Sequence, residues 1–321
     1  MSSRYFCWSL RHPGVRSVLA FFCVLAASVL SCPSALAQRA PDGNAHPDAG
    51  GMSEFAGGNP FADPSDAAPP TAPKDIAAKF AFSKQVDLDP LRDLAVFHSG
   101  RVKILDSLAR ETVATITGKS KFFGYVSAGK SASSSTELKR ARFDPLFTYL
   151  DMVIDPAFFM SQPLIGVDFL PLRQAFLEKL YTGKDEIEWW KRDGRLKPID
   201  IERTWAEVSE KNAFDPSARK SLNHMRGAIE LYQFSSRNLM MLAPSSSDQP
   251  WGHLSQLSDG PAAAAVKELG AAWRAGDAPR VNAAAKALAA ELPKINTASY
   301  PTTKRSMERL YNKANAFEWG F

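Results

Sequence analysis

The sequence predicts a mainly α-helical protein with a single folded domain. Apolar side chains recur at intervals of three or four residues in four stretches, 105–117, 217–242, 261–292 and 300–317. Asp-Pro pairs at 144–145 and 215–216 each place a capping carboxylate and a first-turn proline where a helix would begin. We therefore expect about seven helices with irregular connections, in one domain over residues 76–321.

The first 37 residues are typical of a secretory signal peptide. Basic residues precede an apolar run at 18–30, which has the length of a signal core and is short for a membrane span. Ala35-Leu36-Ala37 forms a cleavage site that would make Gln38 the first mature residue. Cys32 offers a competing lipidation site. We expect an extracytoplasmic, periplasmic protein that is peripheral to the membrane.

Residues 38–75 form a predicted disordered linker. Pro, Gly, Ala, Asp and Asn dominate this segment, and its large apolar residues are Met52, Phe55 and Phe61. Such a composition buries too little apolar surface to offset the entropy of folding. The linker would therefore separate the signal from the folded domain.

Composition excludes several classes of function. All three cysteines lie in the signal, so the mature chain has no thiol for a disulfide, a zinc site or catalysis. The formal net charge of +5 falls to +2 when the three arginines of the signal are removed, and no basic run interleaves with aromatics. We therefore expect no nucleic-acid partner. The sequence has no Gly-rich phosphate loop, G-x-S-x-G elbow or histidine pair at metal spacing, so we expect no catalysis and no bound cofactor.

The most informative stretch is Phe97–Glu111. It begins as a polar turn at Gly100 and continues into the predicted helix 105–117. Asp106 or Ser107 is expected to cap that helix through its side chain. From these residues alone, the interpretation is a loop leading into a core helix.

The remaining elements follow from the same patterns. Residues 119–139 are Ser-rich and polar and predict a flexible loop, and residues 186–200 predict irregular structure around Trp189-Trp190, interpreted as a half-buried aromatic pair. Residues 163–167 predict a short strand or an extended segment. Further helices are predicted over 143–154, 170–181, part of 201–214, 217–242, 261–275, 278–292 and 300–321.

Two motifs resemble one known family. G-R-V-K-x-L-D-S-L-A-R-E at 100–111 and E-x-x-Y-N-K-x-x-x-F at 308–317 are similar to signatures of the extracytoplasmic domain of system II cytochrome c biogenesis proteins, the fused ResB/CcsA type. That family usually has Pro at the position of Ile104, and Ile restores one backbone amide donor there. The resemblance covers residues 90–321 in outline. The signature residues are Gly100, Arg101, Lys103, Asp106, Arg110, Glu111, Glu308, Tyr311, Asn312, Lys313 and Phe317.

The resemblance implies an accessory subunit of cytochrome c maturation. The sequence after residue 37 has no apolar stretch long enough to span a membrane, so haem handling is expected to belong to a separate CcsA-type exporter and synthase. Apocytochrome c is a second partner that the resemblance implies. We expect the two signatures to meet in space. Their charged residues would then either dock onto the partner or form an internal network, with Arg101 or Lys103 bonded to Asp106 or Glu308.

A second class of function stays open. The Ala-rich helical hairpin at 261–292 resembles one tetratricopeptide-like unit, although no second copy recurs at a fixed period. The alternative is therefore a periplasmic helical scaffold or ligand-binding protein unrelated to haem. Methionines at 225, 240 and 241 are interpreted as core filling, and the histidines at 98, 224 and 253 lack a partner at ligand spacing.

Overall fold

The computed structural model describes residues 58–62, 75–130, 136–246 and 248–314. The predicted signal peptide, most of the linker and Phe317 lie outside the described residues. Within them the chain is mainly α-helical, which confirms the predicted fold class. The number of helices, about seven by periodicity, is wrong, because the described residues contain twelve.

The helices follow one another along the whole described chain. Their bounds are α1 Ile76–Gln85, α2 Asp89–Arg92, α3 Leu105–Thr117, α4 Pro145–Ile154, α5 Pro156–Met160, α6 Leu170–Leu180, α7 Lys184–Asp193, α8 Pro198–Asn212, α9 Pro216–Gln233, α10 Pro261–Ala275, α11 Ala278–Glu291 and α12 Thr302–Ala314. Six strands in the same residues form three separate antiparallel pairs. They are β1 Ala95–His98 with β2 Arg101–Ile104, β3 Phe123–Lys130 with β4 Thr136–Arg142, and β5 Ile165–Gly166 with β6 Arg195–Leu196.

Several helix ends lie where the capping signals place them. Helix α3 stops at Gly118, whose φ of 66° is left-handed and favours glycine. The Asp144 carboxylate accepts hydrogen bonds from the first amides of α4, and Asp215 does the same for α9. Helices α10 and α11 form the predicted hairpin, with Asp277 capping the second helix.

The prediction of a flexible loop over 119–139 is wrong for most of this segment. Strands β3 and β4 pair over it, and its tip at 131–135 lies outside the described residues. Phe122, just before β3, is buried. Gly124 lets α1 approach the hairpin, because a Cβ there would lie 2.4 Å from the side chain of Ile76. The strands were missed because the segment is mostly polar. An antiparallel pair needs apolar residues on only one face, so a polar composition does not exclude it.

The prediction of irregular structure over 186–200 is also wrong. Helix α7 covers the first part of this region, and Gly194, which has a φ of 83°, follows its last residue. Its helical period was hard to recognise because only Ile187 and Trp190 mark the apolar face, within a strongly charged sequence. Strand β6 and the start of α8 at Pro198 complete the segment.

The long helix predicted over 217–242 is shorter than expected. Helix α9 ends at Gln233 and a 3-10 turn follows at Ser235–Asn238. The buried Tyr149 hydroxyl donates to the Ser235 carbonyl at 3.0 Å, which holds that carbonyl outside the helical ladder. Met225 is nonetheless buried in the core, as the core-filling interpretation expects.

The centre of the core joins α1, α4 and α10. Trp273 is fully buried, with its ring centroid 5.6 Å from that of Phe82 and 4.9 Å from that of Phe147. Aromatic rings at such separations add to the free energy gained from burying their area. The three helices are thereby fixed around one aromatic cluster.

A buried ion-pair cluster lies beside these rings. The Lys79 ammonium, on α1, is 2.8 Å from a carboxylate oxygen of Asp151 and 2.8 Å from one of Asp155. The Trp273 indole donates to the same Asp151 oxygen at 2.8 Å. Burial raises the pKa of the Asp151 carboxyl to about 6, and Lys79 opposes that shift.

A short piece of the predicted linker belongs to the domain. Phe61 is 2% exposed, its carbonyl accepts from Arg274 at 2.7 Å, and Asn59 donates to the Val153 carbonyl at 2.7 Å. Close packing is evident at Gly270, where a Cβ would lie 2.4 Å from the Phe61 carbonyl oxygen. The linker prediction therefore fails at residues 58–62. No helix in the described ranges is both long and apolar enough to cross a membrane.

Candidate functional site

The first signature opens on a tight β-hairpin. Strands β1 and β2 pair from Ala95 opposite Ile104 to His98 opposite Arg101. The connecting residues Ser99 and Gly100 have φ angles of 52° and 75°, the left-handed pair that a two-residue hairpin turn requires. The turn at Gly100 agrees with the sequence prediction, whereas strands of four residues are too short to be recognised by alternation.

The two signatures are in contact, as expected from the sequence. Helix α12 packs against β2, and its Glu308 carboxylate accepts a hydrogen bond from the Ile104 amide at 3.0 Å. This amide is the donor that the family's usual proline would lack. Asn312 donates to the Ser107 hydroxyl at 2.8 Å, and Arg309 pairs with Asp93 at 2.7 Å.

Lys103 lies inside this junction, with a side chain that is 4% exposed. Its ammonium pairs with Glu111, and it lies 3.3 Å from Nδ1 of His98. Because an ammonium can only donate, that ring nitrogen accepts and the imidazole is neutral. Burial is the largest effect that lowers the pKa of His98, and the positive charge of Lys103 lowers it further.

Asp106 forms a second network instead of capping α3. Its carboxylate is 2.5 Å from Arg92 and 2.7 Å from Arg110, while Arg92 also reaches Asp144 at 2.9 Å. Burial lowers the pKa of Arg92, but its carboxylate partners outweigh this effect and the net pKa is raised. The capping prediction for Asp106 and Ser107 is wrong, because no side chain caps α3.

The internal network also has different partners from those predicted. Both Arg101 and Lys103 pair with Glu111, Arg101 at 3.6 Å, and neither pairs with Asp106 or Glu308. Glu111 lies about one and a half turns after Asp106 on α3, so the two side chains leave the helix on different sides. Glu111 contacts the hairpin, whereas Asp106 contacts α2.

The outer face of α12 carries exposed apolar side chains that sequence reasoning missed. Met307 and Leu310 are 69% and 68% exposed and lie three residues apart, so they share one face of the helix. On the opposite face, Glu308 contacts the hairpin and Asn312 contacts α3. Two apolar residues three apart in a mostly polar helix were the signal that the sequence offered. We call Met307 and Leu310 the exposed signature face.

The remaining signature residues are distributed around this junction. Gly100 lies in the hairpin turn, and Arg110 lies on the exposed side of α3. Tyr311 and Lys313 lie on α12, and Phe317 lies outside the described residues. The structure therefore brings together the described parts of both signatures.

Other candidate ligand residues are engaged elsewhere or isolated. Both ring nitrogens of the buried His253 are hydrogen-bonded, to Ser255 and to the Ser236 carbonyl, each at 2.7 Å. His224 is exposed. Among the residues that the structure describes, no group of three or more His, Cys, Asp or Glu side chains is placed to hold a metal ion.

In the tryptophan pair on α7, Trp190 is half-buried as predicted, whereas Trp189 is 36% exposed. The rings of Trp189 and Trp190 meet edge to face at 4.6 Å, and Tyr125 and Tyr181 pack on their other sides. The Lys197 ammonium lies 5.4 Å from the Trp190 ring. These contacts agree with the interpretation of the pair as structural.

Comparison with known proteins gives one short likeness. No family model matches the chain, and no solved structure matches it. The chain is 30% identical over 97 residues to Protein BOBBER 2 of Arabidopsis thaliana, covering 30% of this chain and 33% of that protein. Since this chain spans about a third of that relative's length, the likeness assigns neither family nor function.

Proposed function

We propose that this protein is an accessory extracytoplasmic subunit of cytochrome c maturation. It binds a separately encoded membrane haem exporter and synthase of the CcsA type through the exposed signature face. The partner handles haem and its attachment to apocytochrome c, and this chain contributes protein–protein contacts without catalysis or cofactor of its own.

The observation that carries the proposal is the construction of α12. Glu308 joins one face of the helix to the hairpin and Asn312 joins it to α3, which leaves Met307 and Leu310 in solvent on the other face. Neighbouring exposed large apolar side chains on a polar helix are typical of an interface.

The sequence resemblance gives the occupant of this face. In the fused family the same segment immediately precedes a membrane helix, so the corresponding face would adjoin the membrane part. Supporting this assignment, the two signatures contact each other although they are separated by almost the whole domain.

Affinity capture from detergent-solubilised membranes tests the proposal. The tagged full chain should retain a CcsA-type membrane protein, identified by its peptides, whereas the double variant Met307→Asp/Leu310→Asp should lose it. Phe214→Asp is the matched control, because Phe214 is 96% exposed and lies between α8 and α9. Failure of the wild-type chain to retain such a protein would favour the alternative of a helical scaffold.

A further inference from the structure

A cationic cleft lies at the far end of α3 from the signature residues. The cleft has a volume of about 400 Å³, within the range of small-molecule sites. Helix α3 has 13 residues, so its two ends are about 20 Å apart. Five basic side chains line the cleft, namely Lys119, Lys121, Arg140, Arg142 and Arg192.

The only acid lining this cleft, among the described residues, is already neutralised. Asp193 is buried and accepts from Arg195 at 2.7 and 3.0 Å and from the Tyr125 hydroxyl at 2.5 Å. Arg195 in turn lies 3.6 Å from the ring of Phe123 and donates to its carbonyl. Asp193 therefore stabilises the fold and does not neutralise the basic side chains of the cleft.

Four of these cations have no carboxylate partner in the described part of the chain. Lys119, Lys121, Arg142 and Arg192 form no ion pair there, whereas Arg140 lies 4.7 Å from the Phe123 ring. A concave surface lined by one sign of charge concentrates counter-ions. Arg and Lys together favour phosphate, because the guanidinium binds its oxygens in pairs and the ammonium adds a point charge.

We propose that this cleft binds an anion that carries phosphate groups. A ligand with two linked phosphates would match four unpaired cations and would occupy only part of the cleft volume. The ligand is either a soluble phosphorylated compound or the headgroup of an anionic phospholipid. This site is separate from the exposed signature face and does not depend on the proposed function.

Calorimetric titration of the full chain with pyrophosphate tests the site. The double variant Arg142→Gln/Arg192→Gln should bind about tenfold or more weakly, because charge-assisted hydrogen bonds are lost. Arg219→Gln/Lys220→Gln removes the same charge from the exposed side of α9 and should bind like the wild type. Circular dichroism checks that each variant remains folded.

A second arm distinguishes the two sources of phosphate. Vesicles of equal parts phosphatidylcholine and phosphatidylglycerol are compared with vesicles of phosphatidylcholine alone. A headgroup site is identified if the chain binds the anionic vesicles, the cleft variant does not, and pyrophosphate displaces the bound vesicles. A soluble ligand is identified if the chain binds pyrophosphate but not the vesicles. The proposal would be overturned if the chain bound neither pyrophosphate nor the anionic vesicles, or if the cleft variant bound as tightly as the wild type. Tighter binding to a single-stranded oligonucleotide than to pyrophosphate would also overturn it.

Discussion

At the scale of single residues, Arg101 and Lys103 occupy opposite environments in one signature. The side chain of Lys103 is 4% exposed and paired with Glu111, whereas that of Arg101 is 69% exposed. A buried ammonium is tolerated only when it is paired, so Lys103 stabilises the junction, while a solvated guanidinium remains available to a partner. The internal network therefore includes the buried Lys103, whereas docking through Arg101 stays a prediction.

Replacing each residue by alanine should separate these roles. Lys103→Ala removes the ion pair with Glu111 and the donor to His98, and should lower the free energy of unfolding by about 1–3 kcal/mol. Arg101→Ala should change it by less than about 0.5 kcal/mol. Urea denaturation measures both values, and equal effects of the two substitutions would contradict this division.

Asp151 should make stability depend on pH. Burial raises its pKa to about 6 from the ordinary value of 3.8, so between these two pH values the folded state binds more protons than the unfolded state. Its contribution to stability is therefore fully present below pH ~4 and is lost as the pH rises through ~6, with a slope of at most about 1.4 kcal/mol per pH unit.

The variant Asp151→Asn isolates this contribution, because it retains the shape of the side chain without the titration. Lys79 keeps Asp155 as a partner in the variant. The free energy of unfolding of the wild type minus that of the variant should fall between pH 4 and 6, as measured by urea denaturation. A difference that is constant or rises over that interval would show that the carboxyl pKa is not raised.

At the scale of elements, α12 depends on a few polar contacts with the hairpin. Met307 and Leu310 face solvent. The described contacts that hold the helix are polar and are made by Glu308, Arg309 and Asn312. Loss of one such contact should therefore release the helix locally without unfolding the domain.

Glu308→Ala should increase hydrogen exchange of α12 and of the Ile104 amide. The substitution removes the acceptor of a charge-assisted bond, worth about 1.5–3 kcal/mol, so local opening should become at least about tenfold more frequent. Lys304→Ala, at an exposed position of the same helix, is the control. Unchanged exchange at Ile104 would show that the contact does not fix α12.

An element could be predicted from the sequence when the residues that define it are close together in the chain. Helix α3 combines an apolar stripe with a left-handed Gly118, and both are visible in the sequence. Helix α7 has only a short apolar pattern in a strongly charged sequence, and β3 and β4 lie in a polar, Ser-rich segment, so neither was distinguished from a loop. The partners of Arg101 and Lys103 depend on which face of α3 meets the hairpin, which is a property of tertiary packing.

At the scale of the whole molecule, the domain combines a dense aromatic core with polar junctions at its edges. Phe82, Phe147 and Trp273 fix the centre, while the hairpin and α12 are joined mainly by hydrogen bonds and ion pairs. The mainly α class and the meeting of the two signatures were predictable from periodicity and resemblance. The exposed signature face and the cationic cleft were not, because each gathers residues from distant segments.

We propose that this domain supports cytochrome c maturation through the outer face of α12. The most direct measurement is the amount of haem-stained c-type cytochrome in cells whose only copy of the protein is a chosen variant. The wild type and Phe214→Asp should restore the cytochromes, and Met307→Asp/Leu310→Asp at equal protein abundance should not. Normal levels of c-type cytochromes in cells lacking the protein would contradict the account.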